Sequence, residues 1–152
     1  MGTDATVTVR ELSAADVDAS IAEAFAGLLP QLSSSSPRPT VEQLARIAGS
    51  DCNHLLIAES EDSTVLGSMT LVVFEIPTGV RAWIEDVVVD ESARGRGVGE
   101  ALNRRAIDIA HEVGAKSVDL TSRPSREAAN RLYQKLGFVA RETNVYRYQG
   151  SR

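Results

Sequence analysis

Between Thr6 and Glu11 polar and apolar residues alternate, with Val7 and Val9 on one side, which is the period of a half-buried strand. Ser13 then stands where a helix cap belongs, ahead of Val17, Ile21, Phe25 and Leu28, whose three-to-four spacing draws a single apolar stripe. Pro30 is expected to close that helix. Residues 33–39, four serines followed by two prolines around Arg38, read as a mobile loop too short to link domains. Thr40 can cap a second helix, with Glu42 and Gln43 in its first turn, Leu44 and Ile47 on its buried side and Gly49 at its end.

Three β-like runs follow at His54–Glu59, Val65–Ile76 and Arg81–Asp90, separated by turn-like residues 61–64 and 77–79, so an antiparallel meander is expected. Val87, Val88 and Val89 in succession predict a strand covered on both faces. Past a glycine-rich stretch, Val98, Leu102, Ala106, Ile109 and Val113 repeat at helical spacing up to Gly114. A short strand over Ser117–Thr121 leads through Pro124 to a helix with Ala128, Leu132 and Leu136 on one face and Gly137 as its stop. Phe138–Arg141 and Val145–Tyr148 are predicted to finish the chain as strands. The order contains no repeat and predicts one mixed α/β sheet in a single domain over residues 1–152.

Composition narrows the function classes. With 43% apolar and 24% charged residues in 152, the chain can bury a core, which excludes disorder over most of its length. Sixteen Lys and Arg against twenty-one Asp and Glu leave a net charge of −5, which argues against nucleic acid or an anionic membrane as a general partner. The lone Cys52 cannot close an internal disulfide, and with only His54 and His111 to add imidazoles no metal site is expected. No window approaches the roughly 18 apolar residues of a membrane span, and the first residues lack a basic region leading into an apolar stretch. A soluble, cytoplasmic protein is the expectation.

The sharpest local feature is Arg94-Gly95-Arg96-Gly97-Val98-Gly99, set between the valine strand and the strong helix. Its glycines let the backbone approach a ligand, and N–H groups left unpaired at a helix start can converge on one anion. The helix dipole adds roughly 0.3–1 kcal/mol at an exposed end, and Arg94 and Arg96 can add charge-assisted contacts, so a phosphate or pyrophosphate is the expected ligand. A P-loop needs Gly-Lys-Ser/Thr where this chain has Val98-Gly99-Glu100-Ala101, and the dinucleotide fingerprint counted from Gly95 needs Gly or Ala where Glu100 stands. Both patterns fail. An RNA-binding Arg-Gly segment is normally repeated and disordered, whereas this one occurs once inside a folded pattern. A turn that is glycine-rich for structural reasons alone fits the same letters.

Together with Ile84-Glu85-Asp86-Val87-Val88-Val89-Asp90 before it and Ala129-Asn130-Arg131-Leu132-Tyr133-Gln134-Lys135-Leu136-Gly137-Phe138 after it, this segment resembles the GNAT superfamily of acetyl-CoA-dependent N-acetyltransferases over nearly the whole chain. The first part is similar to the family strand with its Arg/Gln-x-x-Gly-x-Gly/Ala loop, and the second to the closing helix ending Leu-Tyr-x-Lys-x-Gly-Phe. The run Ile84–Val89 is particularly similar to amino-sugar-phosphate acetyltransferases, but it occurs across the superfamily and does not identify the acceptor. The resemblance implies an α+β GNAT fold: a mixed, mostly antiparallel sheet with helices on both faces and two splayed neighbouring strands, ending near Val89 and Thr121. Acetyl-CoA, as cosubstrate, would lie in that V-shaped opening with its pantetheine arm along Val87, Val88 and Val89. Its pyrophosphate would sit within Arg94, Gly95, Arg96, Gly97, Val98, Gly99 and Glu100, with Asn130 reaching it as well. Family members often carry an asparagine seven residues before the tyrosine, where this chain has Arg126.

The implied reaction starts from an amine whose ordinary pKa, if lysine-like, is about 10.4, so a proton must leave at neutral pH. Simple alternation puts residues 83, 85, 87 and 89 on one face of their strand and 84, 86 and 88 on the other, so Glu85 and Asp86 are expected to point oppositely. Glu85 then shares the face of the residues flanking the thioester and is the candidate base, acting through water; a solvated strand carboxylate is the plain alternative. A backbone N–H near Val89 would face the thioester oxygen. The resemblance places Tyr133 near the sulfur as general acid. Ordinary pKa values near 10 and 8.5 make full proton transfer to the thiolate uphill by about 2 kcal/mol, so a hydrogen bond can suffice. Aromatic packing beside Ala129 and Leu136 is the alternative for Tyr133, and Trp83 either lines the acceptor pocket or fills core volume. His54 and His111 read as ordinary strand and helix residues. Cys52 reads as packing, which disfavours an acyl-enzyme.

The expected function is direct acetyl transfer to a primary amine of a small metabolite or peptide. A catalytically weak acyl-CoA-binding module would need neither Glu85 nor Tyr133, and an interaction protein would use the loop only structurally. Monomer and homodimer both remain open.

Overall fold

A computed structural model describes residues 6–150, in two compact units divided between Thr121 and Ser122. The first unit is built on a five-stranded sheet ordered β1-β2-β3-β4-β5, with β1 at Thr8–Glu11, β2 at Asn53–Glu59, β3 at Val65–Ile76, β4 at Gly79–Val89 and β5 at Val118–Asp119. The first four strands form the expected antiparallel meander, and β5 joins β4 in parallel. Helices α1 (Ala19–Leu32) and α2 (Val41–Ala48) lie between β1 and β2 in sequence, and α3 (Val98–Glu112) lies between β4 and β5.

Alternation along β2 distributes these helices over the two faces of the sheet. Leu55 and Ile57 join Leu12, Val17, Ile21, Phe25 and Leu44 in one buried apolar cluster, beneath α1 and α2. Leu56 and Ala58, equally buried, point the other way. On that second face Gly67, the partner of Ala58, lies under α3: a Cβ there would sit 2.9 Å from Val98 Cγ1 and 2.8 Å from the Val88 carbonyl oxygen. Helix α3 can approach β3 this closely because position 67 has no side chain.

Local signals set most boundaries. Thr40 and Gln43 form a capping box at the start of α2, and Gly49 caps its end, as their positions predict. The opening of α1 differs from expectation. Ser13 caps a single 3-10 turn over Ala14–Asp16 in a box with Asp16, and α1 itself begins after Asp18, whose carboxylate accepts the Ile21 N–H at 2.9 Å. Pro30 does not end α1. Its ring fixes a helical φ and removes one N–H, and the chain continues to Leu32, where the Ser33 N–H closes on Leu29 O at 2.8 Å. No helix among the described residues is long and apolar enough to cross a membrane.

The second unit carries α4 (Glu127–Lys135), capped at Leu136 and followed by Gly137 at φ +97°. The strands expected over Phe138–Arg141 and Val145–Tyr148 are not formed: residues 138–150 have no regular structure. A strand-favouring sequence makes a strand only where a neighbouring strand accepts its hydrogen bonds, and none among the described residues does so.

Candidate active site

The bonds at the two ends of β4 show how the site is opened. The Ala82 N–H donates to Ser117 O at 3.0 Å, toward β5, whereas the Asp90 N–H donates to Leu66 O at 2.8 Å, toward β3. An unbroken strand would send both even-numbered groups the same way. The register explains the reversal. Ser68 and Thr70 stand opposite Val88 and Glu85, so Met69 alone on β3 faces both Asp86 and Val87 on β4, a β-bulge with Asp86 at φ +53°. Beyond it the odd-numbered residues Val87 and Val89 turn their N–H and C=O groups away from β3. Pairing with β5 has already stopped at Trp83 and Asp119, so this edge of β4 has no strand partner among the described residues. The result is a splay between β4 and β5 of the kind the resemblance implies, with strand-like hydrogen-bonding groups lining one side.

The same bulge corrects the alternation assumed for this strand. Glu85 and Val88 lie opposite Thr70 and Ser68, two residues apart on β3, so their side chains share a face, the face of Trp83. Contrary to simple alternation, Glu85 therefore does not share a face with Val89, which stands opposite Gly67; both Glu85 and Asp86 are exposed. The valine run is also not uniformly covered: Val88 is buried, while Val87 and Val89 are half-buried. The Trp83 indole N–H donates to Glu85 Oε1 at 2.8 Å, which orients that exposed carboxylate.

Directly after the splay comes the glycine segment. A 3-10 turn over Glu91–Ala93 is capped by Asp90, and Arg96 N–H reaches back to Ala93 O at 3.3 Å. Gly95 and Gly97 adopt φ +79° and +76°, and a Cβ on either would meet no atom within 4 Å. Internal packing therefore does not account for these glycines; the left-handed backbone does, and it leaves open space above the turn. Gly97 is the N-cap of α3 and has no side chain to offer the helix, whose first closing bond is Ala101 N–H to Gly97 O at 3.0 Å. Arg94 and Arg96 are exposed beside it. The one carboxylate in the first turn, Glu100, is bridged by Arg104 at 2.8 Å, which reduces its repulsion of an incoming anion. These features fit a diphosphate.

Three residues that the sequence did not single out support this turn. Asn103 is fully buried on α3, donates to Gly99 O at 2.8 Å, and its Oδ1 has no partner among the described residues. An asparagine beside Leu102 in the apolar stripe was the available signal. Gln31, at the end of α1, bonds both Asp90 and Glu91, and Asp90 in turn accepts from the Ser92 N–H and hydroxyl. The hydroxyl of Ser92, then Gln31, holds the Asp90 carboxyl below the usual carboxylate range, so it is ionised at neutral pH.

Residues 20–138 match the family model described as acetyltransferase (GNAT) family. The chain belongs to the GNAT family. It is 34% identical to a probable glucosamine 6-phosphate N-acetyltransferase 2 of Oryza sativa subsp. japonica, over 96% of this chain and 90% of that protein. It is 36% identical to glucosamine 6-phosphate N-acetyltransferase 1 of the same plant, over 92% and 86%. A Trypanosoma brucei acetyltransferase structure superposes with a TM-score of 0.73 at 29% identity, covering 95% of this chain and all of that one. This GNAT protein is accordingly an acyltransferase, an N-acetyltransferase, with the α+β fold that its motifs imply.

The remaining expected GNAT residues lie in the second unit. Tyr133 is buried on α4 with its ring edge-on to Phe138, centroids 5.8 Å apart. Burial raises its phenol above the ordinary value, and Arg126 pulls modestly the other way. Its hydroxyl is therefore protonated at neutral pH. Ala128, placed on the apolar stripe of α4 by spacing, is exposed, and Tyr133 is the buried anchor of the helix. Asn130 donates to Arg123 O at 3.0 Å, so its amide nitrogen ties down the turn before α4. His54 forms a 2.7 Å contact with Glu11, and Cys52 is exposed.

Proposed function

We propose that this protein transfers the acetyl group of acetyl-CoA directly to the primary amine of a small metabolite in the cytoplasm, with an amino-sugar phosphate as the favoured acceptor. The observation that carries this reading is the unpaired edge of β4 running straight into the open glycine turn. An extended pantetheine arm fits the first and a diphosphate the second. The acceptor class rests on relatives about as long as this chain that are named for glucosamine 6-phosphate.

In this reading Val87 and Val89 offer backbone groups to the arm and Val88 sets their spacing. Residues 94–100 cradle the pyrophosphate, Gly97 and Val98 through the backbone and Arg94 and Arg96 through charge. The thioester supplies an activated acyl carbon. Glu85, oriented by Trp83, takes the ammonium proton through water, and the Val89 N–H stabilises charge developing on the carbonyl oxygen. Tyr133, protonated at neutral pH, donates a hydrogen bond to the departing thiolate. Asn130 orders the turn leading to that helix.

The test is acetyl-CoA-dependent thiol release against a panel of amines. Glucosamine 6-phosphate should give the highest kcat/KM, at least about 10-fold above glucosamine, because a charge-assisted phosphate contact is worth about 1.5 kcal/mol or more. Equal rates with both sugars would remove the phosphate from the acceptor class.

A further inference from the structure

Two segments far apart in sequence meet at Gln31. It lies in the last turn of α1, a helix held in the core by Ile21, Phe25, Ala26 and Leu28. Its carboxamide is used from both ends: Nε2 donates to Asp90 Oδ2 at 3.0 Å and to Gly27 O at 3.1 Å, while Oε1 accepts the Glu91 N–H at 2.9 Å. Only an amide offers donor and acceptor in this fork. The bonds then continue into the loop. Asp90 Oδ1 accepts the Ser92 N–H at 2.9 Å and the Ser92 hydroxyl at 2.6 Å, and the turn so capped presents Ala93 O, fully buried with its residue, to the Arg96 N–H. Gly97 follows immediately. A chain of bonds whose outer end is a side chain of α1 thus runs to Arg96, the residue before the N-cap of α3.

We infer that Gln31 is a positioning residue for the cofactor loop: it fixes the exit of β4 so that the turn at residues 94–99 is shaped for a diphosphate before acetyl-CoA arrives. This rests on the reading that residues 94–99 hold the pyrophosphate. Gln31 touches neither cofactor nor acceptor in this role. Its effect falls on acetyl-CoA affinity and on the KM for acetyl-CoA, and only weakly on kcat at saturation.

The experiment is calorimetric titration of the full chain with acetyl-CoA at pH about 7.5 and about 5.5. Gln31→Glu sets a second carboxylate against Asp90 and should weaken binding about 10-fold at the higher pH, since a bond to a charged group is lost and repulsion added. The loss should shrink at the lower pH, where the two carboxyls can share a proton. Adding Asp90→Asn exchanges the roles: the amide introduced at position 90 donates to the carboxylate introduced at position 31 and still accepts from Ser92, and affinity should return to within about threefold of the parent. Gln31→Leu, which removes the fork without adding charge, should weaken binding by about fivefold at both pH values. Parent-like affinity in Gln31→Glu and Gln31→Leu, or a double variant no better than Gln31→Glu, overturns the inference. Gly97→Asp is titrated alongside. If it binds as tightly as the parent, the pyrophosphate reading itself fails, whereas its loss of binding with Gln31 variants unaffected removes only the role of Gln31.

Discussion

The glycine turn at residues 90–99 and the tail at residues 138–150 are equally patterned in sequence and differ completely in structure. The turn is held by bonds within itself, between Ser92 and Asp90 and between Arg96 and Ala93, plus two bonds to Gln31. The tail carries two short apolar stretches, yet Val139, Val145, Tyr146 and Tyr148 are 81, 70, 89 and 91% exposed and no strand forms among residues 138–150. A turn is specified by residues a few positions apart and is complete once they meet. A strand is half a structure, and its pattern says which face is apolar without saying what will cover it.

The largest effect that this contrast predicts lies in the turn. Gly97→Asp puts a charge where the N-cap is bare and a side chain at φ +76°. Two charge-assisted contacts of about 1.5 kcal/mol each should go, weakening acetyl-CoA binding by about 100-fold or more. Because a Cβ at this position meets nothing within 4 Å, the fold should survive, which circular dichroism checks beside the titration. Unchanged affinity would mean that the turn is bare for structural reasons alone.

The division between local and non-local information also explains what could be read from sequence. The meander, the caps of α2 and the stripe of α3 were legible, because period, caps and turn residues specify each within a few positions, whereas the splay was expected only through the family resemblance. The start of α1 was misplaced because Ser13 and Asp18 are both competent caps, and only the 3-10 turn between them decides which one opens the helix. The bulge at Asp86 was invisible. It is fixed by how β4 registers against β3, and it takes Glu85 off the face of Val89. Gln31 was likewise unreadable, since its partner lies 59 positions away.

Tyr133 stands between the two extremes: α4 is a local element, and burial of its tyrosine is not. Tyr133→Phe keeps the ring against Phe138 and removes only the hydroxyl, so acetyl-CoA affinity should hold while kcat falls by about 100-fold. A readout on stability accompanies this. Burial raises the phenol above its ordinary 10.0, so above that pH the unfolded chain releases a proton that the folded chain keeps. Stability should therefore fall as pH rises beyond 10.0 toward the raised folded value, and Tyr133→Phe should lose less over the same interval. Denaturant titrations at pH about 9 and about 11 measure the difference. A variant with full turnover would remove Tyr133 from the reaction and leave it as a packing residue.

The smallest effect belongs to the tail. With their side chains exposed, Val145→Thr and Tyr148→Ser delete almost no buried area and should each change stability by less than about 0.5 kcal/mol, read as a shift in the denaturation midpoint. The result is informative because the sequence argues the opposite: an alternating Val-Tyr-Arg-Tyr segment is what a buried strand pair uses. Losses of about 2 kcal/mol or more would place both side chains against a surface, and if the loss grew with protein dilution that surface would belong to a second copy of the chain. Small losses independent of concentration would leave the tail's pattern without a packing partner, and the contrast with the turn, whose residues bond to one another and to Gln31, would stand.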